Sequence, residues 1–149
     1  MWTRRLDNYM NFKTDWDIVT QLACDITNYT IANDEIASNS KRKEILNELD
    51  RLRSVYGERS FIIMITALYT LNSRKKLLLF EKSYQIACGE NEYDDSLATA
   101  NSAFQFCLEE TLSDEARVWG QRVNFLLTHS NDAELLDEAR ELLSQWHEP

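Results

Sequence analysis

The sequence predicts an all-α fold of about seven antiparallel helices, arranged as a single compact bundle or as a short stack of helical hairpins. Glycine occurs three times and proline once among 149 residues. This scarcity disfavours turn-rich β folds and glycine-dependent nucleotide folds. Apolar residues recur at spacings of three and four along most of the chain, which is the period of a helix with one buried face. We expect one domain over residues 1–149, with residues 1–14 as an N-terminal arm.

Apolar stripes and capping residues define the first two helices. Trp16, Val19 and Ile26 lie on one stripe and predict a helix over residues 15–31. Ser40 is the expected N-cap of the second helix, which ends where Gly57 can adopt a left-handed conformation.

The next two helices follow from an apolar run and a second cap. Residues 60–71 are apolar nearly all round, and residues 61–65 also have strand propensity. A run of this length without glycine better fits a buried helix. Ser73 is the expected N-cap of a helix over residues 74–88.

Three further stripes predict the last three helices, over residues 93–107, 112–126 and 135–146. Ser113 and Asn131 are the expected N-terminal signals of the last two. The core is expected to include Phe104, Trp119, Leu126, Leu142 and Trp146.

The segment Gly89-Glu-Asn-Glu-Tyr93-Asp-Asp-Ser96-Leu97, followed by Ala103-Phe104, carries a family pattern. It resembles the inter-helix turn and second helix of a tetratricopeptide repeat, with Tyr93, Ser96 and Ala103 at matching positions. Ala100 stands where that family has a large aromatic residue. The resemblance covers about a quarter of the chain. It implies stacked hairpins that bind other proteins and carry no catalytic residues.

Charge is distributed unevenly along the chain. Residues 1–88 contain 13 Lys/Arg and 11 Asp/Glu, whereas residues 89–149 contain 3 and 14, respectively. Such an acidic part repels nucleic-acid phosphates and attracts a basic protein surface. A solvated face that only maintains solubility is the alternative. The expected partner-binding residues are Glu109, Glu110, Asp114, Glu115, Asp132, Glu134, Asp137, Glu138 and Glu141.

Motifs for catalysis, cofactors and metals are not found in the sequence. The two histidines, His129 and His147, have no ligand-type spacing, and no phosphate-binding loop or nucleophile elbow occurs. Cys24, Cys88 and Cys107 have apolar neighbours and are expected to be buried free thiols of a reducing compartment. The chain is therefore predicted to be cytoplasmic, without catalytic activity, cofactor, metal or membrane span.

These observations favour two functional hypotheses over a third, an enzyme that uses the carboxylates or Cys107, for example paired with His129. The first is an acidic inhibitor, immunity or antitoxin-like protein that occludes a basic, for example nucleic-acid-binding, protein. The second is a helical-repeat adaptor or assembly subunit that binds a peptide or helix through an apolar groove. Two basic clusters, residues 41–43 and 74–76, can bind phosphate or form salt bridges to the acidic part. The oligomeric state does not follow from the sequence.

Overall fold

A computed structural model describes the backbone of residues 2–146 and the side chains of residues 12–146. The described residues form seven α-helices and no strand, which confirms the all-α class. The helices are α1 (Trp2–Ile31), α2 (Glu35–Tyr56), α3 (Ser60–Tyr69), α4 (Ser73–Gly89), α5 (Tyr93–Glu109), α6 (Ser113–Leu126) and α7 (Ala133–Gln145). Within residues 2–146, no helix combines the length and the apolar character that a membrane span requires.

The chain divides into two compact units, Met1–Glu58 and Arg59–Pro149, where the sequence predicted one domain. Residues 2–14, which were predicted as an N-terminal arm, form the first part of α1, because that helix begins at Trp2. No glycine or proline interrupts residues 2–14. The helix of residues 15–31 can therefore continue towards the N-terminus without a break.

Unit 1 is an antiparallel hairpin of α1 and α2. Its buried side chains include Val19 of α1 and Leu49 of α2. Near the open end of the hairpin, the carboxylate of Asp15 accepts hydrogen bonds from Tyr56 Oη at 2.7 Å and Arg51 Nη2 at 2.9 Å. These bonds, with that of Tyr56 the larger cause, hold the pKa of Asp15 below its ordinary value.

Three of the inter-helix turns share one backbone motif. Each contains a non-glycine residue with φ near +55°, namely Asn33 (57°), Asn91 (57°) and Thr111 (54°). The amide of the next residue donates to a carbonyl five residues back, at 2.9 Å in all three turns. This Schellman-type bond satisfies carbonyls at the helix end and starts the next helix within two residues. The turns therefore produce antiparallel neighbours.

Unit 2 consists of two layers of helices. Ser60 at the start of α3 accepts a hydrogen bond from Ser83, which lies far along α4, so these neighbours are antiparallel. Chain direction also reverses between each later pair of consecutive helices, from α4 to α5, α5 to α6 and α6 to α7. Helices α3, α5 and α7 are therefore parallel to one another in one layer, and α4 and α6 are parallel in the other. Helix α5 contacts all four of the others. The helices that follow one another along unit 2 are therefore antiparallel neighbours, as the sequence predicted.

The core of unit 2 follows the predicted stripes. Four of the five predicted core residues are buried: Phe104, Trp119, Leu126 and Leu142. Trp146 is partly buried and packs edge-on against Phe104, with ring centroids 5.5 Å apart. Residues 61–65 are helical, so the strand alternative does not apply.

Three helix starts differ from the predicted caps, by one residue for α4 and α7 and by six residues for α2. Helix α2 begins at Glu35 because Asp34 accepts the amide of Ala37 at 3.1 Å, and Ser40 lies inside the helix. Asn72 and Asp132 similarly cap α4 and α7, one residue from the predicted caps. Asparagine and aspartate compete well with serine for the orphan amides of a first turn, which explains these shifts.

Candidate functional site

A recess between α5 and α7 brings together three of the nine predicted partner-binding carboxylates. Glu109 ends α5, and Glu138 and Glu141 lie one turn apart on α7. They meet because α5 and α7 run parallel, so the C-terminal half of α7 lies beside the end of α5. The recess has a volume of about 260 Å³, and its other lining residues are Gln105, Leu108, Leu142 and Gln145.

The recess concentrates negative charge. Glu109, Glu138 and Glu141 are exposed side chains at the rim of the recess. Partial desolvation of its carboxyl group, and then the charge of Glu141, raise the pKa of Glu138 above the ordinary value. Gln105 Nε2 donates to Glu109 Oε1 at 2.9 Å, which orients one carboxylate without neutralising it. Within residues 12–146, no lysine or arginine forms an ion pair with Glu109, Glu138 or Glu141. The arrangement is complementary to a cationic group.

The other carboxylates predicted on or next to α7 lie outside this recess. Asp132 accepts the amide of Leu135 at 3.1 Å and is occupied as the N-cap of α7. Asp137 faces Arg140 at 3.4 Å on the exposed surface. Glu134 is exposed in the first turn of the helix.

The three remaining predicted residues lie around the α5–α6 turn. Glu110 and Asp114 are exposed there. Glu115 lines a different depression, the groove between α4 and α6. The nine residues therefore divide among a recess, a groove rim, a helix cap and exposed surface.

A groove between α4 and α6, which we call the α4–α6 groove, was not predicted. Arg122 of α6 forms two hydrogen bonds to Glu81 of α4, one of them at 2.9 Å, across the two helices. The Arg122 guanidinium lies 4.5 Å from the centroid of the Tyr84 ring and 4.6 Å from that of Trp119. The bonds to Arg122 hold the pKa of Glu81 below its ordinary value. The pairing of residues 81 and 122 depends on how two distant helices pack, so no local sequence signal indicated it.

A second acidic cluster, also outside the prediction, surrounds the start of α5. Asp94 accepts Ser130 Oγ at 2.6 Å and the amide of Asn131 at 3.0 Å, which joins this helix start to the α6–α7 loop. These two bonds lower the pKa of Asp94. Burial raises the pKa of Asp95, and the charges of Glu92 and Asp94 add to the effect. Four carboxylates in residues 90–95 were a visible signal of this cluster.

Cys107 and His129 do not form a catalytic pair. Cys107 is buried, and burial raises the pKa of its thiol to about 12, which disfavours a thiolate at neutral pH. His129 stacks on Phe125 and lies 5.2 Å from the Tyr93 ring, at the opposite end of α5. Fourteen residues of helix separate Tyr93 from Cys107, which is about 21 Å. Cys24 is exposed, contrary to the expectation of a buried thiol, and His147 lies outside the described residues.

The basic clusters lie in different units. Residues 41–43 are inside α2 rather than in its first turn, and Lys41 Nζ is 3.0 Å from Glu44. Residues 74–76 are in the first turn of α4, as predicted. Lys76 Nζ lies 4.8 Å from the centroid of the Phe106 ring.

Among the described residues, no group of three or more histidine, cysteine, aspartate or glutamate side chains has a metal-binding arrangement. Comparison with known proteins found no matching family model, no significantly similar curated protein and no significantly similar solved structure.

Proposed function

We propose that this chain is a non-catalytic protein-binding protein of the inhibitor, immunity or antitoxin type, which occludes a basic surface of a partner protein. The observation that carries the proposal is the recess in which Glu109, Glu138 and Glu141 line one cavity and form no ion pair among the described residues. Holding like charges together costs free energy, and a partner cation offsets that cost.

The recess fits a lysine or arginine side chain of the partner. Leu108 and Leu142 offer apolar surface for the aliphatic stem, while the carboxylates face the charged end. Two packed helices fix the backbone positions of the three glutamates, and the bond from Gln105 orients the Glu109 carboxylate. Exposed carboxylates elsewhere on α6 and α7 steer the partner and act mainly on the association rate.

The test is capture of binding proteins from the source cell with three forms of the chain. The recess variant carries Glu138→Lys and Glu141→Lys. The control carries Glu134→Lys and Asp137→Lys, the same change of charge on the same helix but outside the recess. We expect the wild type to retain a basic protein, the control to retain the same protein with slower association, and the recess variant to lose it. The reversal replaces two attractive contacts with a partner cation by two repulsive ones, so the loss is expected to be salt-dependent.

A defined probe tests the recess without a partner. Titration of the wild type with a short arginine-rich peptide, followed by amide chemical shifts, is expected to perturb the end of α5 and the second half of α7. Shifts of equal size in the recess variant contradict the assignment of the recess. Equal capture of a basic protein by both variants contradicts the proposed function itself.

The absence of catalysis and a cytoplasmic location belong to the same proposal. The raised pKa of Cys107 and its distance from His129 support a chain that acts by binding alone. The salt dependence of partner binding distinguishes this proposal from the alternative, an adaptor that binds through an apolar groove. Charge-driven binding weakens as the Debye length falls from about 10 Å at 0.1 M to about 3 Å at 1 M, and apolar binding persists.

A further inference from the structure

The α4–α6 groove exposes apolar side chains on both of its walls. Leu78 of α4 is 63% exposed and Val118 of α6 is 46% exposed. Leu77 and Trp119 line the same groove, whose volume is about 280 Å³. Two large exposed aliphatic side chains facing one depression mark a surface that gains free energy when it is covered.

Charges on the two walls are arranged in opposite pairs. At one end, Arg74 lies on α4 and Glu115 on α6. Two turns further along, the signs are reversed, with Glu81 on α4 and Arg122 on α6. Because α4 and α6 run parallel, the members of each pair lie at the same level. Within residues 12–146, neither Arg74 nor Glu115 has an ion-pair partner.

We propose that a second copy of this chain covers the α4–α6 groove, related to the first by a two-fold axis that runs along the groove. Such a rotation places α4 of one copy over α6 of the other without changing the level along the helices. Arg74 then faces the partner's Glu115, and Leu78 faces the partner's Val118. Glu81 likewise faces the partner's Arg122, and Arg122 faces the partner's Glu81, so opposite charges meet at this level too.

Charge complementarity selects this occupant. A two-fold interface brings a surface onto itself, so that surface must be self-complementary. In this groove, each charged side chain on α4 has an oppositely charged side chain at the same height on α6. The surface is therefore self-complementary about an axis along the groove. The groove and the acidic recess have no lining residue in common, so the dimer leaves the recess open to its own partner. The inference is therefore independent of the proposed function.

The first measurement is the oligomeric state of the full chain by sedimentation equilibrium at 0.15 M salt. We expect a concentration-dependent dimer. Leu78→Glu introduces one carboxylate from each copy into the interface. It is expected to raise the dissociation constant of the dimer at least about 100-fold. The control is Leu71→Glu, because Leu71 is 73% exposed and does not line the groove. We expect it to leave the dimer unchanged.

Charge reversal tests the direction of the axis. Arg74→Glu and Glu115→Arg each create two like-charge contacts in a homodimer, which is expected to weaken it about tenfold or more. A mixture of the two variants has opposite charges at both contacts and is expected to regain the wild-type dissociation constant as a heterodimer. Circular dichroism checks that each variant is folded.

Each other outcome overturns the proposal. A wild-type chain that stays monomeric leaves the groove to a different protein. Equal effects of Leu78→Glu and Leu71→Glu place the dimer contact elsewhere. A mixture that does not regain dimerisation contradicts the two-fold axis along the groove.

Discussion

Replacement of Arg122 by methionine is expected to destabilise unit 2 by about 2–3 kcal/mol. Arg122 connects α4 and α6 through its hydrogen bonds to Glu81 and its stacking on Tyr84 and Trp119. Methionine keeps an unbranched apolar stem of similar reach. The change therefore removes the guanidinium while retaining much of the packing.

The magnitude follows from the contacts. A cation–π contact at a partly exposed site contributes about 0.5–1 kcal/mol, and Arg122 makes two of them. The Glu81 side chain is 43% exposed, so solvent screening limits the ion pair to about 1 kcal/mol. Lysine at the same position keeps the charge but loses the planar stacking and the two-pronged bond. Arg122→Lys is expected to lie between the wild type and Arg122→Met.

Urea unfolding followed by circular dichroism measures these differences, and pH gives a second readout. The pKa of Glu81 is lowered in the folded state, so the ion pair stabilises the protein above the pKa of the unfolded carboxyl group. This contribution is lost as the pH falls through the lower, folded pKa. The difference between the wild type and Arg122→Met is therefore expected to be full at pH 7 and to shrink below about pH 4.

A double-mutant cycle with Glu81→Gln isolates the pair. We expect a coupling free energy of about 1 kcal/mol at pH 7 between Glu81→Gln and Arg122→Met. Wild-type stability in Arg122→Met, or a pH-independent difference between the two proteins, would refute the contribution assigned to the ion pair.

Three further predictions concern packing, a loop contact and thiol exposure. Gly120→Ala is expected to destabilise the fold by about 1–2 kcal/mol in thermal unfolding, because the added Cβ lies 2.9 Å from the Trp146 ring. The cost of this overpacking exceeds the gain in helix propensity. A raised melting temperature contradicts this expectation. Asp94→Asn is expected to cost about 1 kcal/mol at pH 7. Since the pKa of Asp94 is lowered in the folded state, the destabilisation vanishes as the pH falls through that pKa. If acid unfolding curves show a destabilisation that does not change with pH, the charge of Asp94 is not its source. A thiol reagent is expected to label exposed Cys24 at once and buried Cys107 only after unfolding, and rapid labelling of both by mass spectrometry contradicts the burial.

Local rules predicted the helices better than their starts. The stripes that contain Phe104 and Leu126 identified buried faces correctly, because a period of 3.6 residues determines which side chains share a side of a helix. The starts of α4 and α7 were shifted by one residue because neighbouring residues compete for the same capping role. Asn72 rather than Ser73 caps α4, since both side chains can accept an orphan amide and the geometry of the turn decides between them.

The charged residues show where local rules end. The sequence identified the acidic part but not its subdivision, because distances between carboxylates on different helices depend on which helices are neighbours. Glu109 meets Glu138 and Glu141 only because α5 and α7 are parallel in one layer. Asp137, next to Glu138 in the chain, is turned towards Arg140 instead.

The sequence by itself determined the all-α class, most of the buried faces and the surplus of negative charge in residues 89–149. Only the tertiary structure decided the division into two units, the α5–α7 recess and the α4–α6 groove. The physical reason is that helical periodicity specifies which face of a helix is buried, whereas the identity of the helix that covers it depends on turns and packing across the chain.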